Sequence, residues 1–134
     1  MPARPGAPGF GLRLGGAKHR RATGAAGEAA TARWYEAAGY EVLDRNWRGR
    51  DGELDLVVRN DRVLVFCEVK TRTSDRFGAP IEAVNAAKQR RIRLLARAWM
   101  QERNSVARHT RFDIASVLPG LDGALVVEVI EGCF

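Results

Sequence analysis

Hydrophobic and polar residues follow two periods along the chain, one typical of helices and one typical of strands. The alanine-rich segment Gly24–Ala38 and the segment Ile81–Arg103, whose apolar residues recur at helical spacing, are predicted helices. Five shorter segments are predicted strands, namely Tyr40–Asn46, Glu53–Arg59, Arg62–Lys70, Arg111–Leu118 and Ala124–Glu131. The element order αβββαββ predicts an α/β fold with a mixed central sheet of about five strands flanked by helices.

The segments between these elements carry turn and loop residues. Trp47–Gly52 (WRGRDG) and Thr71–Pro80 (TRTSDRFGAP) are polar and are predicted loops, and residues 60–61 (ND) form a predicted turn. Arg62–Lys70 (RVLVFCEVK) is the most apolar of the strands, which favours a central position in the sheet.

Length and charge suggest one domain preceded by a tail. The 134 residues carry a net charge of +6 from 22 basic and 16 acidic side chains. Residues 1–22 hold five of the bases and no acid, so residues 23–134, with 17 bases and 16 acids, have a net charge of only +1. We therefore expect a disordered basic tail, rich in proline and glycine, over residues 1–22 and a single domain over residues 23–134.

Composition excludes two classes of protein. The purely apolar runs are only a few residues long, so we expect no membrane-spanning segment. Cys67 and Cys133 are the only cysteines, and together with His19 and His109 they lack the spacing of a zinc site. Because Cys67 lies in an apolar strand, it is predicted to be a buried free thiol in a reducing, cytoplasmic protein.

Acidic residues lie inside two predicted strands, where they are normally depleted. Asp55 lies in ELDLVV, whereas Glu68 and Lys70 lie two residues apart in VFCEVK and therefore share one face of their strand. A hairpin centred on residues 60–61 would place Asp55 opposite Phe66 and diagonal to Glu68, close enough for the two carboxylates to converge.

The same register would place Glu53 opposite Glu68 and Asp51 opposite Lys70, which gathers carboxylates and a lysine at one end of the sheet. Carboxylate oxygens are the ligands that hold Mg²⁺ in proteins, and Mn²⁺ accepts them equally. Such a metal activates water and stabilises the charge on a phosphodiester. A ladder of salt bridges between strands is the alternative explanation.

The segment Gly49–Lys70, with GELDLV followed by VFCEVK, resembles the PD-(D/E)xK nuclease signature. The wider arrangement is similar to the YraN-like family of bacterial proteins, which are predicted nucleases. The matching motifs are GE at 27–28, GY at 39–40, RN at 45–46, GELD at 52–55, EVKTR at 68–72, FG at 77–78, Lys88 and RFD at 111–113. The resemblance covers residues 24–134 and implies a restriction-endonuclease-like fold.

The resemblance also implies roles for individual residues. It makes Asp55 and Glu68 metal ligands and Lys70 the catalytic lysine. Archaeal Holliday-junction resolvases, which are similar in fold, add a glutamate from the first helix, and Glu28 stands at that place. Glu28 could instead be a solvated glutamate stabilised by the helix dipole. Glu53 is expected to contact the ligands rather than the metal.

Basic residues near these carboxylates are candidates for binding nucleic acid. Arg45, Arg48 and Arg50 precede the carboxylate strand, and Arg72 follows the central strand, so contact with phosphates is plausible for each. Lys88 falls within the apolar stripe of the second helix, from which it could snorkel to solvent, reach the carboxylates or bind a phosphate.

Two further features have alternative explanations. Trp47 could stack on an unpaired base or pack under the sheet. Arg90, Arg93 and Arg97 lie opposite the apolar stripe of the second helix and form either a solvent face or a stripe facing DNA.

Three functions follow from these observations. The first is a nuclease dependent on Mg²⁺ or Mn²⁺ that hydrolyses phosphodiester bonds, as a DNA endonuclease of repair or recombination. The second is a non-catalytic nucleic-acid-binding module that needs a partner. The third is an interaction protein whose charged cluster is structural, which predicts no binding of divalent metal. Junction-cleaving relatives of the fold are often dimers, so a homodimer is an open expectation.

Overall fold

The computed structural model describes residues 16–73 and 84–134, which form two helices and five strands. The elements are α1 (Gly16–Ala37), β1 (Glu41–Gly49), β2 (Gly52–Arg59), β3 (Leu64–Thr71), α2 (Ala86–Glu102), β4 (Thr110–Pro119) and β5 (Leu125–Ile130). The predicted order αβββαββ is confirmed, and the architecture is that of the predicted restriction-endonuclease-like α/β fold.

The five strands form one mixed sheet in the order β1-β2-β3-β4-β5. β3 and β4 are parallel and the other neighbours are antiparallel. β3 is central, as its apolar sequence predicted, and α2 supplies the long connection that two parallel neighbours require.

Each face of the sheet is covered by one helix. The α2 layer includes Phe66, Ile92 and Trp99, whereas the α1 layer includes Tyr35 and Cys67. Cys67 is a buried free thiol, as predicted. Neither helix in the described part of the chain combines the length and the apolar composition needed to cross a lipid bilayer.

Helix α1 begins at Gly16 rather than at the predicted Gly24. Once a helix is nucleated, each added residue gains a backbone hydrogen bond, and alanine, lysine and arginine, which fill most of positions 17–22, are good helix formers. The described helix therefore includes residues 16–22, which the sequence analysis assigned to the basic tail. Residues 1–15 lie outside the described residues, and the division of the chain into a tail and a domain stays a prediction.

Helix α2 begins at Ala86, where Asn85 caps it. The Asn85 side-chain oxygen accepts a hydrogen bond from the Lys88 backbone N–H at 2.9 Å, which satisfies one of the free donors of the first turn. The predicted start at Ile81, and most of the predicted loop over Thr71–Pro80, fall on residues 74–83, which lie outside the described residues.

Strand β1 extends to Gly49, so the prediction of a loop from Trp47 onward is wrong for its first three residues. Trp47 packs against the α2 layer, which holds this end of β1 on the sheet. A Cβ at Gly49 would lie 2.7 Å from the Trp47 ring and 2.8 Å from Leu95, so only glycine fits beneath them.

The β2–β3 turn is centred one residue later along the chain than predicted. The Asn60 N–H donates to the Val63 carbonyl at 3.1 Å, and the Asn60 side-chain oxygen accepts from the N–H groups of Arg62 and Val63. The observed pairs are Leu56–Cys67, Val57–Phe66, Val58–Val65 and Arg59–Leu64. The predicted pairs Asp55–Phe66, Glu53–Glu68 and Asp51–Lys70 are therefore wrong.

Candidate metal centre

Strand β2 is irregular at Asp55. Leu54 packs in the α2 layer but Leu56 packs in the α1 layer, although alternate residues of a regular strand face the same side. On β1, Arg45 pairs with Leu56 and Trp47 pairs with Leu54. Asn46, which lies between them, has a positive φ of 50°. The β1–β2 register is unchanged on either side of this point, so the distortion is a local change of backbone conformation and not an inserted residue.

The Asp55 carboxylate lies where β3 leaves its pairing with β2. Its Oδ2 accepts a hydrogen bond from the backbone N–H of Val69 at 2.9 Å, which places it beside Glu68. Burial raises the pKa of Asp55 to about 7, with help from the negative charges of Glu68 and Glu28 and from a hydrogen bond to Glu68. The Val69 N–H offsets only part of this increase.

Glu68 is almost buried, at 9% exposure, and it has a cationic partner. The Lys88 ammonium, on the first turn of α2, lies 2.8 Å from Glu68 Oε2. The predicted reach of Lys88 to the carboxylates is therefore present, whereas its contact with a phosphate stays a prediction.

Glu28 approaches from the opposite face because α1 comes unusually close to the end of β3. A Cβ at Gly27 would lie 1.9 Å from Thr71 Oγ1, so a larger residue would require Thr71 or the helix to move. Burial raises the pKa of Glu28, and the charges of Glu53 and Glu68 raise it further. Glu28 therefore lies within electrostatic reach of the carboxylates on β2 and β3.

Asn46 is a site residue that the sequence did not reveal. Its side chain hydrogen-bonds the Glu28 carboxylate and lowers the pKa of Glu28, which opposes the effect of burial. The only signal in the sequence was the RN motif at 45–46, which carries no indication of this contact. Asn tolerates positive φ better than most residues, so it suits both this backbone conformation and the contact with Glu28.

Lys70 and Glu53 lie around this group of carboxylates. Lys70 follows Glu68 by two residues on β3, is partly buried and pairs with Ser116 of β4. Glu53 forms a cross-strand ion pair with Arg48 at 2.9 Å. Glu53 therefore acts on Glu28 through its charge while its own carboxylate is held by Arg48.

The residues predicted to contact nucleic acid differ in their distance from the carboxylates and in their exposure. Arg45 lies in β1, and its charge lowers the pKa of Glu28. Arg50 is exposed in the β1–β2 turn, away from any described contact with the carboxylates. Arg72 is partly buried and donates its backbone N–H to the Val117 carbonyl at 2.9 Å. Trp47 donates its indole N–H to Glu102, which fits packing better than stacking on a base.

Within residues 16–73 and 84–134, no three His, Cys, Asp or Glu side chains are already arranged to hold a metal ion. Asp55 and Glu68 form a pair, and Glu28 lies near them. Two carboxylates supplemented by water are a common arrangement for Mg²⁺, so the pair has the right chemistry without a third ligand in place.

The mixed sheet, its two flanking helices and the carboxylates on β2 and β3 define an α/β protein of the restriction-endonuclease-like class. Residues 27–117 match the model of a family described as Uncharacterised protein family UPF0102. The chain belongs to this family, which is the YraN family, so the membership that the motifs predicted is confirmed.

Individual relatives agree with this assignment. A UPF0102 protein of Beutenbergia cavernae is 51% identical over 111 residues, which cover 83% of this chain and 94% of the relative. One from Frankia casuarinae is 49% identical over 113 residues, covering 84% and 96%. One from Symbiobacterium thermophilum is 46% identical over 114 residues, covering 85% and 97%. These names state no activity, so a function has to be argued from the site.

Proposed function

We propose that this protein is a divalent-metal-dependent nuclease that hydrolyses phosphodiester bonds of nucleic acid, as a DNA endonuclease of repair or recombination. The observation that carries the proposal is the half-buried Asp55 carboxylate beside the buried Glu68, with the pKa of Asp55 raised to about 7. Titratable groups perturbed by burial and by like charge are concentrated at functional sites. A divalent cation would offset the repulsion between the two carboxylates.

The donor set fits Mg²⁺ or Mn²⁺. Asp55 and Glu68 would hold the ion, with Glu28 as a third ligand and water or phosphate oxygens in the other positions. Lys88 lies 2.8 Å from Glu68 Oε2 and would share this carboxylate with the ion. When bound, the ion would supply activation of water and stabilisation of charge on the phosphodiester.

The chain's own residues would position the substrate. Lys70, two residues beyond Glu68 on β3, would hold a phosphate oxygen or orient the attacking water. Arg45 lies near Glu28 and Arg72 follows β3, so both are candidates for backbone phosphates. Asn46 would keep Glu28 oriented toward the pair by its hydrogen bond.

Cleavage assays test the proposal. Purified protein is incubated with branched, flapped, duplex and single-stranded DNA, and with RNA, in Mg²⁺, Mn²⁺ or EDTA. We expect metal-dependent cleavage that falls by about 100-fold or more in Asp55→Asn and in Lys70→Ala. Asp61→Asn, in the exposed β2–β3 turn, is the matched control and should keep full activity. Metal-dependent cleavage that persists in both site variants would overturn the assignment.

A non-catalytic nucleic-acid-binding module is the second candidate, and the Lys88–Glu68 ion pair favours it. An ammonium 2.8 Å from the carboxylate supplies a counter-charge without any metal. This function predicts that the wild type binds nucleic acid but cleaves none of the substrates in any metal. It also predicts that Mn²⁺ gives no saturable heat in calorimetry.

A further inference from the structure

A groove between α2 and β4 lies at the end of the parallel strands opposite to the carboxylates. Its volume is about 600 Å³, and its lining includes Arg93, Arg97, Gln101 and Phe112. The described lining contains two arginines and no acidic residue. The groove is therefore positively charged and suits an anionic partner.

The arginine side of this groove continues along the exposed face of α2. Arg90, Arg93 and Arg97 are exposed and recur at spacings of three and four residues, which aligns them on one face of the helix. The row extends about 10 Å along the axis at a rise of about 1.5 Å per residue. Within the described ranges, no carboxylate forms an ion pair with any of the three.

The single acidic residue of α2 does not neutralise this row. Glu102 is engaged by the Arg103 guanidinium and by the Trp47 indole N–H, near the end of the helix. Among residues 16–73 and 84–134, no acidic side chain is therefore paired with the exposed face from Arg90 to Arg97.

Aromatic rings fix one arginine of the row in place. The Arg93 guanidinium lies 5.5 Å from the ring centroid of Phe112 and 5.8 Å from that of Phe134. The two rings stack on each other, with their centroids 5.3 Å apart. Cation–π contacts of this kind restrict the guanidinium, which lowers the entropy lost when it binds an anion.

We propose that the groove and the arginine row bind the phosphate backbone of a nucleic-acid strand. The part of the substrate that extends beyond the carboxylates would then lie along α2. The inference rests on the proposed function, because Lys88 on the first turn of α2 contacts Glu68 and Arg90 starts the row two residues later. A row about 10 Å long is enough for its three arginines to contact successive phosphates of one strand, whose charges recur about every 3.4 Å along the axis of a duplex.

The salt dependence of binding tests this surface. Fluorescence anisotropy in EDTA gives the affinity of the full chain for a labelled DNA duplex over a range of salt concentrations. Each lost phosphate contact lowers the slope of log K against log salt by about 0.9, so a triple Gln variant at Arg90, Arg93 and Arg97 should lose between about 2 and 3. Equal slopes in the variant and the wild type would overturn the proposal.

A matched control separates local contacts from total charge. The control is a triple Gln variant at Arg33, Arg62 and Arg108, which are exposed elsewhere on the molecule and which carry the same total charge. Its slope should change by less than about 1. If both triple variants change equally, net charge and not the groove is responsible, and the proposal fails.

Two further arms keep the outcome interpretable. The double variant Arg90→Gln/Arg97→Gln leaves the Arg93 contacts with Phe112 and Phe134 intact and should still lose between about 1 and 2 in slope. Asp55→Asn should abolish cleavage yet keep the wild-type slope in EDTA.

If the wild type binds no nucleic acid with or without Mg²⁺, the proposed function and the groove both fail. If it binds and the row variants match it, the groove alone fails.

Discussion

Two aspartates of the sheet, Asp113 on β4 and Asp55 on β2, differ in how their negative charges are balanced by neighbouring groups. Asp113 is completely buried and accepts four hydrogen bonds, from the Tyr35 hydroxyl at 2.6 Å, two Arg111 guanidinium nitrogens at 2.8 and 2.9 Å, and the Gly132 N–H at 2.9 Å. The four hydrogen bonds and the positive charge of Arg111 offset the cost of burying this carboxylate.

Asp55 accepts a hydrogen bond from Val69 and faces the charge of Glu68. The difference separates a structural carboxylate from a candidate functional one. Asp113 ties α1, β4 and the C-terminal residues together, whereas burial and repulsion at Asp55 destabilise the charged form until a proton or a cation arrives.

The largest effect is expected at the compensated carboxylate. Asp113→Ala removes two hydrogen bonds of the Arg111 guanidinium and leaves the buried Tyr35 hydroxyl without its acceptor, which should cost about 4 kcal/mol of the free energy of unfolding. Urea denaturation measures the loss, and Asp61→Ala in the exposed turn is the control, with an expected change within about 0.5 kcal/mol. A loss below about 1 kcal/mol at Asp113 would contradict its structural role.

A smaller effect of pH is expected at Asp55. Its folded-state pKa of about 7 lies above the ordinary value of about 3.9 in an unfolded chain, so between these values the folded state binds more protons. The contribution of Asp55 to stability should therefore fall as pH rises from about 4 to about 7, by a loss on the order of 2 kcal/mol after solvent screening.

The comparison of wild type with Asp55→Asn isolates this contribution. Urea denaturation at pH 5 and pH 8, without metal, should show a smaller loss of stability in the variant, because asparagine does not ionise. Parallel pH curves for the two proteins would show that Asp55 has an ordinary pKa.

The smallest effect is expected at Asn46, which holds Glu28. Asn46→Gly tolerates the positive φ but removes the hydrogen bond, so it should weaken Mn²⁺ binding about fivefold with little loss of stability. Asn46→Ala should lose the same affinity and also about 1 kcal/mol of stability, because alanine is strained at this φ. Calorimetry and urea denaturation measure the two quantities, and unchanged Mn²⁺ affinity in both variants would exclude a role for Asn46.

The sequence predicted those features that depend on local pattern. Strand alternation was enough to place Glu68 and Lys70 on one face of β3 and Cys67 on the other, and the wheel of α2 showed Lys88 within an apolar stripe. The contact of Lys88 with Glu68 explains why a lysine occupies that position.

Features that depend on tertiary contacts were not predictable in the same way. The β2–β3 register depended on which hydrogen bonds the Asn60 side chain makes, and an error of one residue in the turn moved every predicted pair. The close approach of Gly27 to Thr71 exists only once α1 packs on the sheet, and the sequence gives no sign of the positive φ at Asn46. These contacts are also the ones that bring Glu28 toward Asp55.

Isothermal titration calorimetry with Mn²⁺ at pH 8 is the most direct test of the metal centre, and it needs no knowledge of the substrate. We expect saturable binding to the wild type, at least about tenfold weaker binding to Asp55→Asn, and wild-type affinity in Asp61→Asn. Identical titrations for all three proteins, or no binding to the wild type, would contradict the assignment of Asp55 and Glu68 as a metal centre.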